Sequence, residues 1–224
     1  MPKNIASLFS GCGGLDLGFS GGFVFRNTVC ERLDTNIVFA NDFDRDAWAC
    51  YNNNELLTND GVHSRLGDIR EIPTNEIPNF DILLAGFPCQ PFSNAGNRKG
   101  VHDDNGRGTL FEECERIIRE KIEVGHRPEA FLFENVRGIL SSKMQDGVTT
   151  VPDEIHKRME NLGYQVSMKL VCSSDYGVPQ RRYRVLIVGI DATLGVGAFD
   201  FDRLKEVIQE YNIPSEHFGQ DEEL

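Results

Sequence analysis

The sequence predicts an α/β fold, a mostly parallel sheet with helices on both faces. Two observations predict it. Short apolar runs of strand length alternate with amphipathic stretches of helix length, the pattern that parallel strands joined by crossover helices require. The runs also end in turn chemistry: the first passes into a helix through a glycine-rich turn, and the run at 81–85 stops at a proline-stiffened loop.

The first strand is expected over residues 4–9, and the turn FSGCGG (9–14) leads into a helix over 15–21. A second strand covers 36–40, and NDFD (41–44) opens a helix over 44–55. A third, short strand falls between 62 and 66. DILLA (81–85) is a buried strand that ends in GFPCQPFS (86–93), where Pro91 prevents regular continuation. Residues 93–108 read as a mobile polar loop before a helix over 109–124. The strand at 130–134 ends in Glu134, Asn135 and Val136. Residues 142–152 form a loop ahead of a helix over 153–162. Strands over 165–171 and 183–190 close the sheet. Residues 191–201 are irregular, a helix over 202–211 follows, and the acidic end GQDEEL frays.

With 224 residues the chain can bury the core of one α/β domain. No apolar run approaches the ~20 residues of a membrane span. The start MPKNIASLF lacks a separate apolar segment and cleavage site, so no signal peptide is read and the cytoplasm is the expected compartment, nucleoid-associated in a bacterium. The six cysteines are scattered, with no CxxC pair and no Cys/His cluster at metal-ligand spacing, which predicts a reduced protein with no metal site. Five of them read as small, mostly buried hydrophobes. Cys89 stands apart, set among Pro, Gln and Pro in a loop, where burial alone requires no thiol. The net charge of −12 argues against a strong phosphate-binding surface, but nine acidic and two basic residues in 191–224 carry −7 of it. Local basic segments remain at Arg98, Lys99 and Arg107, and in QRRYR at 180–184.

Three constellations carry chemistry. FSGCGG allows a ligand close to the backbone, yet it is neither GxGxxG nor a P-loop, so a phosphate chain is not expected there. Asp42, at the end of the second strand, reads as an acceptor for ribose hydroxyls with Phe43 beside it to stack on a purine; the competing reading makes Asp42 or Asp44 a helix N-cap. Asp68 with Ile69 comes at the next strand end, as an acceptor for an exocyclic amine or as a turn cap. A nucleoside pocket without a phosphate cradle suits S-adenosyl-L-methionine, whose sulfonium is cationic. The third constellation is Cys89 with Glu134 and QRRYR. A thiol near its free pKa is only a few per cent ionised at neutral pH, and neighbouring arginines raise that fraction. Glu134, screened from water, could donate a proton. Arg182 and Arg184, two apart, are expected on one face of a strand, to hold an oxygen or brace the carboxyl group, or else to form surface salt bridges.

FSGCGG, NDFD, GDI, GFPCQPFS, FENV and QRRYRV together resemble the DNA (cytosine-5) methyltransferases in order and spacing, over about residues 4 to 190; the segment at 107–118 also looks like that family's helix after the catalytic loop. The resemblance implies a Rossmann-like S-adenosylmethionine-dependent methyltransferase fold and methyl transfer to C5 of a flipped-out cytosine in double-stranded DNA. It implies attack by Cys89 on C6, contact of Glu134 with ring N3, and contact of Arg184 and Arg182 with O2. Pro88 and Phe87 would line the pocket, and Asn135 would hold the loop carrying Pro88 and Cys89. Phe9, Ser10, Gly11, Gly13, Gly14, Leu15, Asp42, Phe43, Asp68, Ile69, Gly86, Pro88 and Leu110 would contact the cofactor. Gln90, Ser93, Arg98 and Lys99 would face the nucleic acid on a segment, 90–107, that closes over the base or else is an ordinary solvated loop.

Complete members of that family continue into a target-recognition region and a final helix that completes the cofactor pocket. Residues 1–190 are therefore expected to be the catalytic domain and 191–224 an acidic extension without target recognition. The chain would be the catalytic subunit of a split enzyme, whose second subunit brings recognition and the last helix, or a truncated part, and alone it would bind cofactor weakly and methylate DNA poorly. A tRNA cytosine-5 methyltransferase and a non-catalytic regulatory subunit are the competing functions.

Overall fold

The computed structural model describes residues 1–25, 28–58, 61–88, 110–144 and 146–204. Nine strands are described: β1 (Lys3–Leu8), β2 (Phe23–Phe25), β3 (Thr28–Cys30), β4 (Thr35–Asp42), β5 (Arg65–Leu66), β6 (Ile82–Ala85), β7 (Ala130–Val136), β8 (Tyr164–Cys172) and β9 (Tyr183–Asp191). The helices are α1 (Gly14–Ser20), α2 (Arg45–Asn52), α3 (Glu55–Thr58), α4 (Leu110–Glu123) and α5 (Val151–Asn161). Seven strands form one sheet in the order β5-β4-β1-β6-β7-β9-β8, and β2 and β3 form a separate hairpin. Pairing is parallel from β5 to β7, whereas β9 runs antiparallel to both β7 and β8.

The side-chain period of two sorts β1 onto two cores. Ile5 joins Ile37, Ala40, Tyr51, Leu57 and Leu84, with Leu15, Leu17 and Phe19 of α1 packed against them. Ala6 and Leu8 face the opposite core, where Phe111, Cys114, Ile117 and Ile118 of α4 and Val151, Ile155 and Met159 of α5 meet Leu83, Ala85, Phe131 and Phe133. The first three helices thus cover one face and the last two the other.

Each departure from the expected elements has a local cause. The helix expected over 44–55 ends at Asn52, and α3 starts separately where Asn54 Oδ1 accepts the Leu56 N–H. The helix expected from 153 starts at Val151, because Thr150 accepts the Asp153 N–H and Pro152 is harmless in a first turn. The loop before it is closed by a bridge between Lys143 and Thr150. The short third strand is β5, and the β2–β3 hairpin, with Val24 opposite Val29 and both exposed, was not anticipated because the three-residue runs FVF and TVC carry no apolar–polar alternation. Of residues 191–224, those up to 204 are described: Ser167 Oγ donates to Phe199 O at 2.7 Å and Phe201 is buried, so this stretch packs on β8. The remainder of the helix expected over 202–211 and GQDEEL lie outside the described residues. No helix among the described residues is long and apolar enough to cross a membrane.

The cysteine expectation needs correction. Cys114 and Cys172 are buried, but Cys12 and Cys50 are exposed and Cys30 is half-buried. The two exposed thiols sit on a loop and on the outer side of α2, where packing against the sheet does not reach them.

Candidate active site

The sheet order reverses at β1, which has β4 on one side and β6 on the other. In open α/β sheets a ligand crevice lies beyond the carboxyl ends of the strands at such a point. Here the turn after β1 and residues 86–88 after β6 bound that crevice.

The turn is held from β4. Ser10 N–H donates to Asn41 O at 3.0 Å, Gly11 N–H to Asp42 Oδ2 at 2.7 Å, and Gly13 N–H to Ser10 O at 2.9 Å. Its backbone is left-handed at Phe9 (φ 54°), Gly11 (54°) and Gly13 (84°). Phe9 is the one non-glycine with positive φ among the described residues, a conformation that costs about 1–2 kcal/mol. At Gly13 a Cβ would also stand 2.2 Å from Leu57 Cδ1, so this position admits no side chain. Beside Gly11 and Gly14 a Cβ would meet nothing within 4 Å. That space is open to a ligand.

Asp42 and Asp44 divide the two roles the sequence left open. Asp44 Oδ1 accepts from the N–H groups of Asp46 and Ala47 at 2.9 and 2.8 Å and caps α2. Asp42 braces the turn through Oδ2 and accepts the Asp44 N–H on Oδ1 at 2.8 Å. These bonds use two of the roughly four acceptor sites of a carboxylate. The Phe43 ring is 77 % exposed beside it. Asp68 caps a 3-10 turn by accepting the Arg70 N–H and is ion-paired with the Arg70 guanidinium, whose hydrogen bonds hold the Asp68 carboxyl below the usual carboxylate range. The Ile69 side chain is buried in the core, so only its backbone can face a ligand. Leu15 and Leu110 pack against the two cores and are partly accessible.

Gly86 brings the end of β6 against both the turn and β7: a Cβ there would lie 3.7 Å from Phe9 O and 3.8 Å from Glu134 Oε2. Phe87, expected to line the pocket, is instead a core side chain, edge-on to Phe133 at 5.7 Å and tilted against Phe111 at 6.1 Å. Burying its ring in this aromatic cluster leaves its carbonyl, which accepts from Asn135 Nδ2 at 2.9 Å, to position Pro88. Pro88 is exposed. Cys89, Gln90, Ser93, Arg98, Lys99 and Arg107 lie outside the described residues.

Glu134 Oε1 stands 2.6 Å from Arg184 Nε, with side chains 27 % and 18 % exposed. The pair is a close charge contact rather than a directed hydrogen bond, for this buried N–H is not aimed at an acceptor. Arg184 is fixed further by donating from Nη1 to Tyr183 O at 2.7 Å. Of the two arginines expected on one strand face, Arg184 lies in β9 and Arg182 stands one residue before it. Arg182 is exposed, and it is Arg184 that reaches Glu134.

Two supporting residues were given no role by the sequence. Asn41, fully buried, donates from Nδ2 to Arg65 O and Gly67 O, both at 2.9 Å, and so docks the Asp68 segment beside β4. Beneath the turn, buried Asp16 accepts from Ser7 Oγ at 2.8 Å and from the Tyr51 hydroxyl at 3.3 Å, and burial pushes its carboxyl up to about 6. An acid at the start of α1 was visible in the sequence; its burial was not. Among the described residues no group of three or more His, Cys, Asp or Glu is disposed to hold a metal ion.

The sequence model of the family described as C-5 cytosine-specific DNA methylase matches residues 3–223. The chain is 40 % identical over 212 residues to the Type II methyltransferase M.BanI of Aneurinibacillus aneurinilyticus, covering 92 % of this chain and 44 % of that protein. It is 38 % identical over 200 residues to the Type II methyltransferase M.FnuDI of Fusobacterium nucleatum, covering 88 % and 49 %. The chain thus spans about half the length of these curated relatives. Among solved structures, the S. pombe Dnmt2 methyltransferase superposes with a TM-score of 0.68 at 23 % identity, over 96 % of this chain and 57 % of that one. A putative DNA modification methyltransferase encoded within an E. coli prophage gives 0.63 at 24 %, over 86 % and 48 %. Both structures share the Rossmann-like fold.

Proposed function

The chain belongs to the family of C-5 cytosine-specific DNA methylases, and from that premise we propose that it carries the catalytic unit of a DNA cytosine-5 methyltransferase, using S-adenosyl-L-methionine and double-stranded DNA. We assign this unit to residues 1–190. The observation that carries the reading is the Glu134–Arg184 pair, which stands beside Gly86, where GFPCQPFS leaves β6.

The crevice suits S-adenosylmethionine: open space at Gly11 and Gly14, spare acceptor capacity on Asp42, an exposed Phe43 ring, and acids rather than a phosphate cradle around a sulfonium. Bound there, it would supply an electrophilic methyl group for C5. The residues of the chain do the rest. The Cys89 thiolate adds to C6 of a cytosine turned out of the duplex, since C6 is shielded inside the stack. Glu134 meets N3, where negative charge develops as C6 is attacked, and Arg184 meets O2 while holding the Glu134 carboxyl in place. Loss of the C5 proton and expulsion of Cys89 then restore the ring. Asn135 fixes the approach of the nucleophile by holding the Phe87 carbonyl two residues upstream.

The test is covalent capture by duplex DNA containing 5-fluorocytosine, in the presence of S-adenosylmethionine and with the full-length protein. The fluorine cannot leave as a proton does, so the adduct persists. An adduct with the wild type and none with Cys89→Ser is expected. No wild-type adduct, or an undiminished one in Cys89→Ser, would overturn the mechanism.

A further inference from the structure

Residues 67–80, between β5 and β6, belong to no strand. They hold two 3-10 turns, Ile69–Glu71 and Thr74–Glu76, each closed by local bonds such as Glu71 N–H to Asp68 O at 3.0 Å and Ile77 N–H to Thr74 O at 3.1 Å. The start of the segment is tied to β4: Gly67 N–H donates to Asp42 O at 3.0 Å, and Asn41 Nδ2 donates to Gly67 O at 2.9 Å. The next anchor is Arg116 of α4. Its Nη1 donates to Thr74 Oγ1 at 2.8 Å, and its Nη2 reaches Ile69 O and Ile72 O at 3.4 and 3.3 Å. The same helix sends a second cation to the far end of the segment, where buried Lys121 donates from Nζ to Ile77 O at 2.5 Å and to Asn79 Oδ1 at 3.2 Å.

We propose that Arg116 is a positioning residue for the cofactor: by tying the backbone of residues 69–74 to α4, it sets where Asp68 and the Ile69 backbone stand against the adenosine half of S-adenosylmethionine. The proposal rests on the functional reading above, which takes that molecule as the occupant of the crevice. Arg116 touches no reacting atom and acts only through the segment it holds.

Asp68 is bracketed by two anchors, Gly67 held from β4 and Ile69 held from α4. Packing alone does not supply the second. Ile69 and Ile72 bury their side chains in one core with Ile117 and Ile118 of α4, but apolar contact is non-directional and leaves the peptide groups free to turn. Ile72 O faces Arg116, and Pro73 after it has no N–H with which to fix the chain. A planar guanidinium, with donors in fixed directions, can meet Thr74 and both carbonyls from one point, which a lysine ammonium cannot do. Arg116 is itself oriented by Glu113, one turn earlier on the helix, which accepts from Nε at 2.8 Å and lies 2.7 Å from Nη2. Leu110, expected to contact the cofactor, opens the same helix. Thus α4 carries one cofactor contact and holds the segment that carries the others. Lys121 provides a built-in comparison: it makes the same kind of bond to the same segment, but just before β6 begins, at the end of the sheet opposite the crevice.

The test compares full-length wild type, Arg116→Met, Arg116→Lys, Thr74→Val and Lys121→Met, at a temperature where thermal melts show each variant folded. Hydrogen exchange at residues 69–76 is read without ligand, and affinity is read by calorimetric titration with S-adenosylmethionine and with S-adenosylhomocysteine. The two ligands share the adenosine half and differ at the sulfur. In Arg116→Met, exchange at residues 69–76 should rise and both affinities should fall by the same factor, about tenfold. Arg116→Lys and Thr74→Val should show smaller losses, again equal for the two ligands, and they carry the test if Arg116→Met does not fold. Lys121→Met should melt earlier and keep both affinities. Unchanged exchange or unchanged affinity in the Arg116 and Thr74 variants would overturn the proposal. So would a loss confined to S-adenosylmethionine, or an equal loss in Lys121→Met. Wild-type protein that binds neither ligand would overturn the functional reading as well.

Discussion

Glu134 and Arg184 meet on the diagonal of an antiparallel ladder. Glu134 lies directly opposite Leu186 and Arg184 opposite Val136, so the 2.6 Å contact spans two residues of register on one sheet face. Such diagonal neighbours are within reach only of long side chains. Arg184→Lys would keep the charge but lose the planar fork, and Arg184→Met would lose both. Either substitution is expected to reduce the methylation rate about 100-fold or more, the usual effect of removing one group that stabilises developing charge. Both side chains keep some solvent access, so the melting temperature should change little. Initial rates beside thermal melts check this. A melt that collapses with the rate would make the pair a structural brace instead.

Asp42 holds the turn with both carboxylate oxygens, Oδ2 on Gly11 and Oδ1 on Asp44. Asparagine has one acceptor oxygen and a donor amide, so Asp42→Asn must set an N–H against one of those two backbone N–H groups. The turn then loses its anchor while β4 stays paired. S-adenosylmethionine affinity is expected to fall about tenfold, roughly 1.4 kcal/mol, by calorimetric titration. Unchanged affinity would exclude Asp42 from the cofactor site.

The strand-end positions of Asp42 and Glu134 were legible in the sequence because each follows an apolar run, and strand ends are where an α/β sheet exposes chemistry. An arginine of QRRYR bracing the Glu134 carboxyl was legible as well; the diagonal register of that pair was not. It exists because β9 enters the sheet between β7 and β8 and runs against both, and a period of two is the same whichever way a strand runs. Asn41 gave no signal, because its work is to bond Arg65 and Gly67, partners that no local pattern names. Phe87 belongs to the motif yet is buried, since a residue between an aromatic core and a catalytic loop can serve through its carbonyl alone.

Gly189 explains how the aromatic layer under the site is packed. A Cβ there would stand 2.0 Å from Phe131 Cε1 and 2.3 Å from Cζ. Phe131 has no room to retreat: it is stacked on Phe133 at 4.4 Å and edge-on to Tyr164 at 5.3 Å. Phe133 in turn supports Phe87. Gly189→Ala is therefore expected to cost about 1–3 kcal/mol, the range for overpacking a core. The urea midpoint measures it, and a midpoint equal to wild type would show that the layer yields freely.

Asp16 should make stability depend on pH in a direction opposite to that of most carboxylates. It is fully buried; Ser7 reaches it from β1 and Tyr51 from α2, and neither brings a positive charge. Burial raises its carboxyl to about 6, above the ~3.9 of an unfolded aspartate. Between those values the folded state holds the proton more tightly than the unfolded state does. The stabilising contribution is then complete below ~3.9 and is lost as pH rises through about 6, a total on the order of 3 kcal/mol. Asp16→Asn is neutral throughout and lacks this loss. Urea denaturation of both proteins from about pH 4 to about pH 8 should show the variant gaining on the wild type up to about pH 6 and a constant difference above about pH 7. A difference that stays flat across the whole range would mean that Asp16 is ionised in the folded protein even at the acidic end, and that Ser7 and Tyr51 stabilise its charge better than burial disfavours it.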